Sequence, residues 1–378
     1  MHNKFGRLRA CRLCGSNVEV LLKYNNMPKA AQNFPSEEDL KEEVGEALEV
    51  CECKACGMVQ LSNDPVDYYK EVIRASAFSE EMKSFRVEQF RSLVSRYGLE
   101  RSNVVEIGCG KGEFLELMND AGANACGIEY SNDSVRDCNK KGLSVSKFYI
   151  EDEHTAIPYA PFDCFFIMNF FEHLPDPNTV LRALHLNLRE DGLGIIEVPN
   201  FDMIIKKNMF SEFINDHLFY FTEKTLASLL ERNGFEIIEC SEIWYDYIIS
   251  AIIKKRKKLD LTRFKSHQEF INKQLEDHIE KHKRVAVYGA GHQALASIAL
   301  AKIGDKIEYV VDDAPFKQGK YTPATHVPIV SNNYLKSHPV DSIIIMAASY
   351  SDEVARKLKN NYENMSIVIL RDSGLEPI

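Results

Sequence analysis

The sequence predicts an α/β protein in three parts, and three stretches carry the prediction. Val104-Val105-Glu106-Ile107 reads as a short buried strand. It runs into glycines at 108, 110 and 112 and then into a helical pattern through Leu115, Leu117 and Met118. Val285-Ala286-Val287-Tyr288, followed by Gly289-Ala290-Gly291-His292-Gln293, repeats the strand–glycine–helix unit further on. Ahead of both stand two cysteine knuckles, Cys11-Arg12-Leu13-Cys14-Gly15 and Cys53-Lys54-Ala55-Cys56-Gly57. The expected parts are a zinc-binding segment at 1–65, a central Rossmann-like domain with a helical cap at 66–255, and a smaller C-terminal Rossmann-like α/β domain at 256–378.

In the first part, each knuckle places two thiolates on a tight turn, with a glycine easing the backbone. Two such turns brought together make a tetrahedral sulfur site suited to Zn²⁺, with Cys11, Cys14, Cys53 and Cys56 as ligands. The stretch from Gly15 to Glu52 must then fold back on itself. Cys51 is read as a bystander on the incoming strand, and four unligated buried cysteines are the alternative reading. No His or water-bearing position completes a catalytic site. The zinc is therefore expected to be structural, holding a segment too small to bury enough core alone.

Residues 66–98 switch to helical periodicity, with Met82, Phe85, Val87, Phe90, Leu93 and Val94 close to one face. Tyr68 and Tyr69 precede the helix, as cleft lining or as packing. Beyond the first glycine turn, Ala125-Cys126-Gly127-Ile128 leads to Glu129, an acid at a strand tip placed to hydrogen-bond a ribose diol. Ser131–Lys141 reads as a helix capped by Ser131 or Asn132. Phe162–Met168 reads as a buried strand ending in Asn169-Phe170-Phe171-Glu172-His173-Leu174. Helix Val180–Asn187, a turn at Glu190-Asp191-Gly192 and strand Leu193–Val198 follow. Pro199-Asn200 closes that strand at the edge where open α/β sheets bind ligands, which makes Asn200 a candidate substrate contact.

The stretch Ile214-Asn215-Asp216-His217-Leu218-Phe219-Tyr220-Phe221-Thr222 is a second focus. Histidine titrates near neutral pH, so His217, with Asp216 and Tyr220 beside it, can remove a proton and hold it. A core histidine is the alternative. Glu172-His173 can be read as an acid–base pair, but loop shaping is the stronger reading. In the last part, Lys254–Lys258 is a basic run read as a linker or a solvated helix face, and Phe264–His282 is a helix. Strands are expected at Ile307–Asp313, Ser342–Ala348 and Ser366–Leu370.

Composition narrows the class. A net charge of −10 disfavours general nucleic-acid binding, which needs a basic field. No apolar run approaches the roughly 20 residues of a membrane span. The polar Met1–Arg12 stretch lacks a signal-peptide core. Five of the ten cysteines fall within the two knuckles and Cys51, which favours metal over disulfides. A cytoplasmic protein, monomer or homodimer, is expected.

The glycine spacing points to the ligand. Glu106-x-Gly108-x-Gly110-x-Gly112 with Glu129 resembles motif I of the class I S-adenosylmethionine (SAM) methyltransferases, not the G-x-G-x-x-G of dinucleotide folds. The resemblance implies that Glu106 faces the amino group of SAM, that the glycines and Glu129 hold its adenosyl part, and that Asn169 lies beside its methionine half. A glycine turn that binds nothing is the alternative.

Together, the four cysteines, this domain, the acid-His-Leu-x-Tyr-Phe stretch and the C-terminal domain resemble one family across the chain. It is the zinc-containing sugar C-methyltransferases that act on nucleotide-linked keto-deoxysugars. The family commonly has Tyr-His-Glu-His-Leu-Ser-Tyr-Phe-Ser where this chain has residues 214–222, so His217 matches the base and Leu218, Tyr220 and Phe221 are retained. Ile214, Asn215 and Asp216 depart from it, as does Val72–Phe78, where the family is rich in tyrosine and serine. Lys317-Gln318-Gly319-Lys320-Tyr321-Thr322-Pro323 is similar to the family's Lys-x-Gly-x-Tyr-x-Pro. The family's Gly-Ala-x-x-Lys-Gly loses its lysine here, which leaves His292 and Lys317 as the expected diphosphate contacts. The implied reaction is methylation of carbon beside a ketone, with a sugar nucleotide as substrate lying between the central and C-terminal domains. O- or N-methylation of another small molecule, and a non-catalytic sugar-nucleotide-binding relative, are the rivals.

Overall fold

The computed structural model describes residues 10–32, 34–71 and 79–378. The Val72–Phe78 stretch lies outside them. The chain divides into two compact units, 1–257 and 258–378.

The first unit opens with β1 (Val18–Met27), β2 (Glu46–Cys53) and β3 (Val59–Leu61). A 3-10 turn at Tyr69–Glu71 and α1 (Glu80–Tyr97) are the described elements of the 66–98 segment. Ser79 fixes the start of α1 by accepting from the Met82 N–H, and Gly98 ends it in a left-handed conformation. The central run is β4 (Asn103–Ile107), α2 (Glu113–Asp120), β5 (Asn124–Glu129), α3 (Asn132–Lys140), β6 (Val145–Lys147), β7 (Phe162–Met168), α4 (Pro177–Asn187) and β8 (Leu188–Pro199). The expected turn at Glu190–Gly192 is instead a kink inside β8, with Asp191 at φ +66° and a register shift against β7. The unit closes with α5 (Phe201–Lys206), β9 (Phe219–Tyr220), α6 (Glu223–Arg232), β10 (Phe235–Ile243) and β11 (Ile248–Lys255).

Seven strands form one sheet in the order β10-β11-β8-β7-β4-β5-β6. The pairs from β8 through β6 are parallel, and β11 runs antiparallel to both neighbours. Parallel strands covered on both faces must be apolar throughout. Accordingly, Val104, Val105, Phe165, Phe166, Ile167 and Ile196 are all buried. A second sheet, β1-β2-β3-β9, joins the cysteine segment to the strand just after His217 through the Val59–Tyr220 and Gln60–Phe219 pairs.

The second unit holds α7 (Thr262–Glu280), β12 (Val285–Tyr288), α8 (His292–Leu300), β13 (Val310–Val311), β14 (Ile329–Val330), α9 (Asn332–Ser337), β15 (Ser342–Ile345), α10 (Ser351–Lys359), β16 (Ser366–Arg371) and β17 (Gly374–Pro377). Its sheet order is β14-β13-β12-β15-β16-β17. The strand expected over Ile307–Asp313 shrinks to two residues. No helix among the described residues is long and apolar enough to cross a membrane.

Candidate active site

Strand order reverses between β4 and β7, since the chain builds outward from β4 in one direction and from β7 in the other. The carboxyl ends of such a pair frame a crevice. Gly108, Gly110 and Gly112 all adopt left-handed φ, at +68°, +55° and +82°. A side chain is excluded at two of them. A Cβ on Gly108 would lie 2.7 Å from the Phe170 ring, and one on Gly112 would lie 2.5 Å from Leu143 Cδ1. Glu129, at the end of β5, is 6% exposed. It accepts the Gly110 N–H at 2.9 Å and the Ser131 N–H at 2.8 Å. Those contacts aim the carboxylate at the glycine turn and leave lone pairs for a diol. Glu106 is wholly buried on β4. Asn169, at the tip of β7, takes φ +50°, and its N–H donates to the Glu197 carbonyl at 3.0 Å. The cleft is lined by Gly108, Glu129, Tyr130, Phe148, Ile150 and, from the linker before α1, Lys70.

Next to it lies an imidazole cluster. The 3-10 turn Phe171–His173 follows β7, and the Ile214–Leu218 loop is tied to it by the Leu218 N–H on the Glu172 carbonyl at 3.0 Å. His217 Nε2 and His173 Nε2 each lie 3.9 Å from Glu172 Oε1. The two rings meet edge to face at 4.8 Å. Burial pushes His217 down to about 3, with His173 adding to the effect. Burial likewise lowers His173 to about 4. Both rings are neutral at physiological pH, and the glutamate beside them sits where an imidazolium charge would develop.

The Asp-His-Tyr grouping is rearranged by the fold. Asp216 turns away from His217: Oδ1 accepts the Tyr68 hydroxyl at 2.5 Å and Oδ2 accepts the Ala31 N–H at 2.8 Å. Burial and this carboxylate together raise the Tyr68 phenol above its ordinary range. Tyr220 is 3% exposed, and its hydroxyl accepts the Ile214 N–H at 3.0 Å. It braces the loop. Glu172, read from sequence as part of a loop-shaping pair, is the acid beside His217. Its position just past a strand tip was the signal available.

The three candidate substrate residues fare differently. Asn200 is fully buried and its side chain is used within the fold. It accepts from the Asp202 N–H at 3.0 Å and donates to Glu242 Oε1 and the Asp246 carbonyl, each at 2.8 Å. It is therefore a bracket between α5 and the β10–β11 turn and not a ligand contact. Lys317 gives its ammonium to Asp312 Oδ2 at 2.9 Å and to the Ala290 carbonyl at 3.0 Å. This is an internal ion pair in place of a free cation. His292 stands exposed at the first residue of α8.

The four knuckle cysteines do come together. The ligand atoms of Cys11, Cys14, Cys53 and Cys56 lie within 4.8 Å of one another, and Cys51 is outside the group. Cys11 and Cys56 sulfurs are 3.7 Å apart, and Cys14 and Cys53 sulfurs 3.4 Å. A tetrahedral Zn–S bond of about 2.3 Å requires sulfurs roughly 3.8 Å apart, so the cluster fits a four-thiolate metal. Donors already point at it: Cys11 Sγ accepts from Gln60 Nε2 at 3.1 Å and from the Leu13 N–H at 3.4 Å.

Comparison with known proteins agrees with this layout. A methyltransferase-domain family model matches residues 80–240, and a C-methyltransferase C-terminal domain model matches 260–370. C-methyltransferase NovU of Streptomyces niveus is 24% identical over 94% of this chain and 93% of its own length. A ubiquinone biosynthesis O-methyltransferase from Actinobacillus pleuropneumoniae is 31% identical, over 27% of this chain and about half of its own length (48%). Among solved structures, the PH0226 protein of Pyrococcus horikoshii aligns with a TM-score of 0.40 at 16% identity, covering 50% of this chain and 99% of its own. The plantazolicin methyltransferase BpumL aligns at 0.37 and 17%, covering 47% and 86%. The chain is a SAM-dependent methyltransferase whose last third matches the C-terminal domain of C-methyltransferases.

Proposed function

We propose that the chain methylates a carbon atom of a keto-deoxysugar carried on a nucleoside diphosphate. The observation that carries the reading is His217 Nε2 held 3.9 Å from the buried Glu172 carboxylate beside the tip of β7. Likeness to a C-methyltransferase along nearly the whole chain supports the same choice. SAM, when bound, supplies a methyl group activated on a sulfonium. The remaining chemistry belongs to the protein. Gly108, Gly110, Gly112 and Glu129 hold the adenosyl part, and Glu106 and Asn169 lie toward the amino-acid end. His217 Nε2 removes the acidic proton from the carbon beside the ketone and holds it as imidazolium, which the Glu172 carboxylate stabilises. The resulting enolate carbon is the nucleophile. Asp216, Tyr68 and Tyr220 keep the base loop in place. The four cysteines hold Zn²⁺ as a structural ion.

The test is an incubation with a nucleoside diphosphate keto-deoxysugar and SAM bearing a ¹³C methyl. The expected product shows the labelled methyl attached to ring carbon in a long-range proton–carbon correlation spectrum. A label on oxygen or nitrogen would overturn the C-methylation reading. Full turnover by His217→Ala would remove the histidine from it.

A further inference from the structure

We infer that Lys70 is a cofactor-reading residue, donating from its ammonium to a ring nitrogen of the SAM adenine. The inference rests on the assignment of the Gly108–Glu129 cleft to SAM. Lys70 belongs to the 3-10 turn Tyr69–Glu71, far in sequence from the glycine turn, yet it lines the same cleft as Gly108 and Glu129. Its ammonium is held over three tyrosine rings: Tyr149 at 4.3 Å, Tyr130 at 5.3 Å and Tyr69 at 5.9 Å. Tyr149 meets both other rings edge-on, at 6.3 Å from Tyr69 and 6.0 Å from Tyr130.

The chemistry of this pocket follows from its place. Glu129 is the diol acceptor, and a base attached to that ribose must lie within a few ångströms of it. Tyr130 follows Glu129 directly, and Phe148, Tyr149 and Ile150 follow β6, the neighbour of β5. These side chains give the cleft an apolar and aromatic lining, the kind of slot on which a flat base stacks. Such a slot recognises a π face but cannot by itself tell one base from another. A lysine supplies three donors and no acceptor. Adenine has unprotonated ring nitrogens along its edge, and a donor at this point can pair with one of them. The tyrosine faces keep the ammonium in the cleft through cation–π attraction until a base takes it up. The turn also carries Tyr68, whose hydroxyl rests on Asp216. One short segment thus reaches both the cofactor slot and the base loop.

Calorimetric titration of the zinc-loaded, full-length protein with S-adenosylhomocysteine tests this. Lys70→Met is expected to bind it about tenfold more weakly, and Lys70→Arg to keep most of the affinity. Titration with the 1-deaza, 3-deaza and 7-deaza forms locates the contact. One of them should bind wild type about tenfold more weakly and lose nothing further on Lys70→Met. Unchanged binding by Lys70→Met at equal zinc content, or equal further losses with all three deaza forms, overturns the inference. Wild-type protein that takes up no S-adenosylhomocysteine overturns the cleft assignment itself, a result distinct from the other two.

Discussion

His173 Nδ1 lies 2.6 Å from the main-chain oxygen of Asp216, and this contact sets the protonation pattern of the whole cluster. A carbonyl only accepts, so Nδ1 carries the hydrogen, and in the neutral ring Nε2 keeps its lone pair. That lone pair faces the side where Glu172 and His217 converge. The same bond ties the loop bearing His217 to the turn after β7.

Removing the base should separate chemistry from binding. His217→Asn is expected to lose turnover by about a hundredfold or more while holding S-adenosylhomocysteine as wild type does. Glu172→Gln keeps the shape but removes the charge, and should lower kcat by roughly tenfold to a hundredfold. Single-turnover kinetics with parallel calorimetry check both. A Glu172→Gln enzyme with wild-type kcat would show that the carboxylate plays no part in stabilising the imidazolium.

Acid should weaken the fold through the two buried imidazoles. His173, at about 4, and His217, at about 3, both lie below the ordinary 6.5. The unfolded chain therefore binds more protons between these values, and stability falls as pH drops through that window. It is full above about pH 6.5. For His173 the loss amounts to something on the order of 3 kcal/mol by pH 4. Urea midpoints from pH 8 to 4 measure it, and His173→Asn should flatten the curve. The kcat/KM profile should likewise show no inflection between pH 6 and 7 from His217.

Stripping the metal should reach the active site by way of the second sheet. β3 pairs with β9, which begins two residues after His217. Chelation, or Cys53→Ser, is expected to unfold the cysteine segment, since a four-thiolate site of this kind supplies folding energy. Activity should fall together with bound zinc, measured by elemental analysis. Cys51→Ser, which lies outside the four-sulfur group, should retain the ion.

Asp216→Asn tests the anchor. An amide presents an N–H where either Tyr68 or Ala31 now donates, so one buried donor loses its acceptor. The expected cost is about 1–3 kcal/mol, read from thermal melting, with a lower kcat from a looser base loop.

A buried ion pair offers a stability check away from the cluster. Arg86 and Glu197 are paired with both side chains fully buried, and Gln89 bridges them. Arg86→Ala leaves a buried carboxylate alone and should destabilise by about 3–5 kcal/mol in urea unfolding.

The glycine turn, the acid at 129, the four cysteines and most strands of the large sheet could be read without coordinates. Each depends on local pattern: apolar runs bounded by glycines, or paired thiols at knuckle spacing. The β10–β11 hairpin was missed, because β10 is half-buried along most of its length and β11 is buried almost throughout, so neither strand carries a clean two-residue alternation.

Sequence alone determined which groups are available here: a glycine turn with an acid at the next strand tip, four soft thiols at knuckle spacing, and a histidine beside an acid. Tertiary structure decided which partners those groups have. It set Glu172 instead of Asp216 beside His217, gave Asp216 to Tyr68 and Ala31, closed Asn200 inside the fold, and paired Lys317 with Asp312. The reason is physical. A side chain's type is written in the chain, but which polar atom it meets depends on groups brought together from distant stretches, and burial then makes each such choice costly to undo.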